Sequence, residues 1–173
     1  MLFRSFLAAG GDPTGSRKAT VLSVLPGGQY LAGDKTAGEG TINLMGASGA
    51  SGQRVLSNVD LNGDGFDEIF YGDPLSSEVT YHSGRLNLLD PTGIAGSTFY
   101  RADFNHELDG AGGQDLVGMG LGGGDLDGDG YDDVLVGSPG AELDGAYADS
   151  GTWSLLPGGA LLPDDGLLVD RAV

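Results

Sequence analysis

Two nine-residue stretches of the chain, 60–68 (DLNGDGFDE) and 125–133 (DLDGDGYDD), set oxygen donors at alternating positions. In the second, Asp125, Asp127 and Asp129 stand at positions 1, 3 and 5, and Gly130 at position 6 permits a sharp turn. Tyr131 at position 7 can offer its backbone carbonyl, and Asp133 at position 9 returns a carboxylate as an apolar run begins. In the first, the same places hold Asp60, Asn62, Asp64, Phe66 through its carbonyl, and Glu68. Hard oxygen donors in this number suit Ca2+, which takes 6–8 oxygens at about 2.3–2.6 Å. Mg2+ fits less well, because it keeps its waters and rarely accepts an all-protein cage. Two Ca2+ sites are therefore expected, the first weaker because Asn62 removes one charge and Glu68 is a methylene longer than Asp.

An EF-hand needs Glu at position 12. Here position 12 is Tyr71 or Val136, and each loop runs into a strand-like segment, so that reading fails. Two carboxylates ~5 Å apart repel by about 3 kcal/mol at an effective dielectric of 20, so each loop should splay without a cation. Asp67 and Asp132, at position 8, are expected to point away from the ion as solvated charges.

The elements that carry these loops repeat. Gly11-Asp12-Pro13, Gly72-Asp73-Pro74 and Gly137-Ser138-Pro139 lie 61 and 65 residues apart, and the loops themselves start 65 apart. Leu25-Pro26-Gly27-Gly28 returns as Leu156-Pro157-Gly158-Gly159, 131 residues on. Internal periods of this kind mark repeat architectures. In the middle unit the expected strands are 54–58, 68–72, 84–89 and 97–104. In the last they are 118–124, 133–137, 151–156 and 166–173, and in the first 3–10, 19–25 and 40–45. Residues 133–137 (DVLVG) are largely apolar and expected to be buried on both faces. No segment keeps a 3.6-residue period, so no substantial helix is expected. Units of four short antiparallel strands predict an all-β chain of about three blades of an incomplete β-propeller, units 1–46, 47–109 and 110–173. Residues 118–124 would form the innermost strand of the last blade. A closed ring of four to eight such units needs roughly 260 to 520 residues. The 173-residue chain is thus expected to be part of a ring, with open blade edges that can self-associate.

Composition bounds the rest. Gly makes up 34 of 173 residues, against a usual ~7%, while Leu, Ile, Val and Phe still supply about a quarter of the chain in short clusters. That combination suits many short strands joined by tight turns. The formal charge of −17, with 8 Lys and Arg, argues against nucleic acid and against an anionic membrane surface. No run approaches the ~18 apolar residues of a membrane span, so no membrane insertion is expected. The absence of Cys excludes a disulfide framework, a thiolate metal site and a Cys nucleophile. The opening MLFRSFLAAGGDP is a poor signal peptide, which predicts either a chain that is not exported or a start further upstream.

The stretch VGMGLGGGDLDGDGYDDVLVGSPG (117–140) resembles the FG-GAP repeat of integrin α-subunit propellers and their bacterial relatives. Val117-Gly118 stands where that family has Phe-Gly, Asp125 to Asp133 matches its calcium loop, and Gly137-Ser138-Pro139 replaces Gly-Ala-Pro. The other copy has Ser51-Gly52, Asp60 to Glu68 and Gly72-Asp73-Pro74. The resemblance implies a seven-bladed propeller with calcium on one face, protein or glycan ligands on the other, and an extracellular or cell-surface setting. It names no ligand-binding residue in this chain.

Other signals carry less. Gly118-x-Gly120-x-x-Gly123 has the letters of a dinucleotide fingerprint but precedes an acidic loop rather than a helix. No Gly-x-Ser-x-Gly elbow occurs. His82 and His106 fall in connections and read as surface histidines, and Trp153 reads as packing. The chain is therefore expected to be a non-catalytic, calcium-stabilised interaction module for adhesion or surface assembly. The alternative is the accessory, substrate-binding part of a secreted hydrolase or lectin.

Overall fold

The structure is a computed structural model and describes residues 6–11, 19–25, 42–48, 54–77, 81–90, 97–100, 106–142, 150–159 and 166–168. Every regular element among them is a strand: β1 (Phe6–Gly11), β2 (Ala19–Leu25), β3 (Ile42–Ser48), β4 (Arg54–Leu56), β5 (Ile69–Asp73), β6 (Arg85–Leu89), β7 (Ser97–Tyr100), β8 (His106–Gly110), β9 (Gly120–Gly124), β10 (Asp133–Ser138), β11 (Thr152–Leu156) and β12 (Gly166–Leu168). The chain divides into two compact units, Met1–Ala50 with Pro91–Phe104, and Ser51–Asp90 with Asn105–Val173.

The first unit holds one sheet in the order β1-β2-β3-β7. The second holds a five-stranded sheet, β12-β8-β6-β5-β4, and a three-stranded sheet, β11-β10-β9. None of these sheets closes into a barrel. The expected all-β class holds among the described residues.

Two strands pair elsewhere than the sequence predicts. Residues 97–100 were expected to close the middle unit, but β7 pairs in parallel with β3 of the other sheet. Residues 166–168 were expected at the outer edge of the last unit, but β12 pairs in parallel with β8. Their apolar patterns announce a strand and say nothing about which edge it joins. In both cases the chain leaving a third strand lands on an outer edge, where unpaired N–H and C=O groups await a partner.

The fourth strand of the middle sheet is instead β8, His-Glu-Leu-Asp-Gly, which reads as a polar connection. His106 therefore opens a strand rather than sitting in a connection. What holds β8 is charge rather than apolar surface. Arg85 stands directly across from Asp109 in register. Its guanidinium donates to both Asp109 oxygens at 2.5 and 2.6 Å and to Glu107 Oε2 through Nη1. The Arg85 side chain is buried, with Asp109 mostly so. A planar fork matched to carboxylates on alternate residues of one strand suits Arg and would not suit Lys. Arg85→Ala should cost about 3 kcal/mol, because it strands Asp109 without its cation. Urea unfolding, with the slope unchanged and the midpoint lowered, is the measurement.

One hydrophobic core lies between the two sheets of the second unit. Leu61, Phe70, Leu86, Leu88 and Leu108 meet Val117, Val134, Val136 and Leu156 there, with Leu56 and Leu121 packed against them. β10 is buried at every position except the half-buried Leu135, as its apolar sequence predicts. The acidic loops leave this core at equivalent places, one before β5 and one before β10, so the core fixes both of their C-terminal ends.

Candidate metal centre

Each loop is tied by the same ladder of local hydrogen bonds. In the first, Asp60 Oδ2 accepts from Gly65 N–H, Asn62 Oδ1 from Asp64 N–H, and Asp64 Oδ1 from Phe66 N–H, all at 2.8–2.9 Å. In the second, Asp125 Oδ2 accepts from Gly130 N–H, Asp127 Oδ1 from Asp129 N–H, and Asp129 Oδ1 from Tyr131 N–H. Short polar side chains that bond the backbone two residues on stabilise turns of this kind. The position-6 glycines, Gly65 and Gly130, have φ of 87° and 94°. An L side chain rarely adopts that region, which explains why glycine recurs there.

These bonds gather the acids, and Asp125 also accepts through Oδ1 from Gly128 N–H at 2.7 Å. Carboxylate oxygens of Asp60, Asp64 and Glu68 lie within 4.8 Å of one another, as do those of Asp125, Asp127 and Asp129. The structure thus brings together three of the five residues expected at the first site and three of five at the second. Asn62 joins the first loop through its side-chain amide, whose Nδ2 donates to Asp64 Oδ2. Phe66 and Tyr131 enter through their backbone. Their rings have other places: Phe66 is exposed, and the Tyr131 ring lies against Gly63 of the other loop.

The position-9 acids differ, and the sequence did not reveal how. Glu68 Oε2 accepts from Leu61 N–H at 2.7 Å, and Asp133 Oδ2 accepts from Leu126 N–H at 2.9 Å, so one oxygen of each does the same work. The second oxygen of Asp133 accepts from Gly158 N–H. The second oxygen of Glu68, Oε1, is fully buried with no hydrogen-bond donor, as is Asp60 Oδ1 in the same loop. Buried anionic oxygens without donors are costly, and a cation is the partner that suits two of them at once. Burial above all pushes the Glu68 carboxyl up to about 7, with Asp90, Asp60 and Asp64 adding to the rise and the Leu61 N–H opposing it. The residues of the first loop therefore fit a hard divalent cation on the chemistry of their donors and on these two orphaned oxygens.

The two loops are joined to each other. Asp132 N–H donates to Asp60 C=O, and Asp60 N–H donates to Asp132 Oδ2 at 3.0 Å. Asp132 is thus a half-buried cross-link between loops, not the solvated charge expected of it. Asp67 lies near Asp60 and Asp132, and its carboxyl is raised by burial and by both of them. Residues 158 and 159 span the pair: Gly158 N–H reaches Asp133, and Gly159 N–H donates to Leu61 C=O at 2.8 Å. The Leu-Pro-Gly-Gly sequence, visible beforehand only as a repeat marker, is a strap across both loops. Its earlier copy, 25–28, lies beyond the described residues except for Leu25.

His82 sits in a turn at φ 53°, its ring stacked on Tyr81 with centroids 3.7 Å apart. Trp153 lays one face over Gly120 and Gly137 while 64% of it stays exposed, so it packs on one side only.

Strand-built sheets, paired acidic loops before equivalent strands and a shared core are the organisation of a repeat-built β module. Residues 117–152 match the family model of the FG-GAP repeat, in agreement with the resemblance carried by the second loop and its flanks. The FG-GAP repeat is the unit of integrin-like β-propeller modules. No curated protein matches the chain.

Proposed function

We propose that the chain is a calcium-binding, non-catalytic propeller module, built of four-stranded blades, that presents a surface to protein or glycan ligands outside the cell. The observation that carries this reading is the first loop. Asp60, Asp64 and Glu68 converge there, and two of their oxygens are buried without a donor. A cation held by Asp60, Asn62, Asp64, Glu68 and the Phe66 carbonyl would neutralise the repulsion that the loop otherwise carries. At the second loop Asp125, Asp127, Asp129 and the Tyr131 carbonyl would serve, with Asp133 holding the backbone around them. The ion would supply charge neutralisation and fix the loops that brace β5 and β10. The module's role would then be to hold a rigid platform, and the reading assigns no reaction to it. The FG-GAP match over 117–152 supports the extracellular setting by analogy alone.

Isothermal titration with Ca2+, paired with thermal melts in Ca2+ and in EDTA, tests it. Two sites and a raised Tm in Ca2+ are expected. At free Ca2+ tenfold above Kd, each site adds about 1.4 kcal/mol. Asp64→Ala should remove one site and Asp129→Ala the other. A cooperative melt with no heat of binding would sink the reading.

A further inference from the structure

The two loops differ at position 3, and the difference creates a reactive pair. Of the five asparagines in the chain, Asn62 is the one followed by glycine. Gly63 is exposed, at φ 72°, and has no side chain to shield its nitrogen. Asn62 Oδ1 accepts from Asp64 N–H at 2.9 Å, and Nδ2 donates to Asp64 Oδ2 at 3.4 Å. In such a turn the side-chain carbonyl takes the place of a backbone carbonyl. Cγ is thereby folded back beside the nitrogen of the residue between, Gly63. The Asp64 N–H also draws electron density from that carbonyl and stands where negative charge would develop during attack on it.

The nitrogen is free in this loop and held in the other. Gly128 N–H, the counterpart of Gly63 N–H, donates to Asp125 Oδ1 at 2.7 Å. The equivalent acceptor, Asp60 Oδ1, has no hydrogen-bond partner, so Gly63 N–H does not make that bond. Among the described residues it reaches no other acceptor. The Tyr131 ring lies where a Cβ of Gly63 would stand, against the α-carbon. The other described asparagines outside β3 are placed differently. Asn87 is 2% exposed and its amide donates to Tyr71 C=O, and Asn58 precedes the β-branched Val59.

We propose that Asn62-Gly63 is a self-modification site, at which the folded loop converts its own amide to an acid with water as co-reactant. Hydroxide takes the Gly63 N–H proton, and the nitrogen bonds to Asn62 Cγ. The Cγ–Nδ2 bond breaks and Nδ2 leaves as ammonia, taking its third proton from water. Water then opens the cyclic imide. Opening at Cγ leaves aspartate at position 62, so the loop acquires at position 3 the acid that the second loop has there. Opening at the main-chain carbonyl leaves an isoaspartyl link, which routes the backbone through Cβ and Cγ and removes the bond to Asp64 N–H. Either product adds one negative charge. The inference rests on the geometry of the loop and stands whether or not the loop holds a cation.

The full chain is incubated in EDTA at pH 8, folded as circular dichroism confirms, and in parallel in guanidinium chloride. Trypsin cuts at Arg54 and Arg85, so one peptide, 55–85, carries Asn62 with Asn58 as an internal control. Mass spectrometry reads the replacement of NH by O. A loop that had to open before reacting would lag the unfolded chain in proportion to its open fraction. Asn62 should instead convert in the folded chain within about threefold of its rate in guanidinium, with Asn58 intact. Asp127→Asn places the same pair in the second loop, with the bond from Asp129 N–H available to it and Gly128 N–H held. That asparagine should convert about tenfold more slowly than Asn62 in the folded chain, and equally fast in guanidinium. A folded parent chain in which Asn62 lags the guanidinium sample by more than about tenfold overturns the proposal. So does a folded Asp127→Asn chain whose two pairs react at the same rate. If that variant loses its fold, the comparison within the parent chain decides alone.

Discussion

Raising the pH from 5.5 to 8 should tighten Ca2+ binding at the first loop by about 30-fold, because Glu68 must lose a proton before it can face a cation. Its carboxyl is fully buried, and burial foremost lifts it from an ordinary 4.5 to about 7. At pH 5.5 most of the population carries that proton, and at pH 8 little does. The sign for stability runs the opposite way in the ion-free protein. A folded-state value above the unfolded one contributes stability below about pH 4.5, and that contribution is lost as pH rises through about 7. A cation bound as proposed would reverse the balance by preferring the carboxylate. The Tm difference between Ca2+ and EDTA should therefore widen from pH 5.5 to 8. Titration near pH 6.5 in buffers of different ionisation enthalpy should show proton release on binding, and Glu68→Gln should remove it. A Tm difference that stays flat with pH, together with no proton release, would refute the role given to Glu68.

The same residue marks how far sequence reading reaches here. The loops were legible because their polar residues are neighbours: spacing 1, 3, 5 and a glycine at 6 suffice to close the hydrogen-bond ladder that both loops display. The fate of position 9 was not legible. Whether its second oxygen finds a donor depends on Gly158, 25 residues beyond Asp133, and on the absence of such a donor near Glu68. The strands with alternating or continuous apolar residues were also legible, because burial alone defines them. β8 was not, since its stability comes from Arg85 on another strand. The partners of β7 and β12 were not, since edge pairing is made by backbone groups that every sequence shares. Asp132 shows the limit at the level of one side chain. It looks like surplus charge beside its own loop, and it bonds instead to the loop of the preceding repeat.

Gly84→Ala should cost about 4 kcal/mol or more, a large share of the roughly 5–15 kcal/mol that holds an ordinary domain folded. Gly84 lies just before β6 and forms a parallel bridge with Val117. Its N–H donates to Ser76 C=O and its C=O accepts from Gly110 N–H, both at 3.1 Å, so neither side of the residue can swing away. Two penalties then add. Its φ of 80° is disfavoured for alanine by about 1–2 kcal/mol. The new Cβ would also lie within 3.0 Å of Val117 N, Val117 O and Leu116 C, all backbone atoms that cannot move without breaking the bridge. That bridge fixes the entry of the chain into β9, beside the close approach of Gly118 to Gly72. Losing it would part the two sheets at the core and pull the second loop away from the first. Gly122→Ala adds the same methyl to the open face of β9, where nothing lies within 4 Å, and should change stability by less than about 1 kcal/mol in dilute solution. Urea denaturation of the two variants separates the explanations. A large loss at Gly84 with little change at Gly122 locates the cost in the contact between sheets. Equal losses would place it in the loss of glycine itself, and the close packing of the two sheets would not be what holds the unit together.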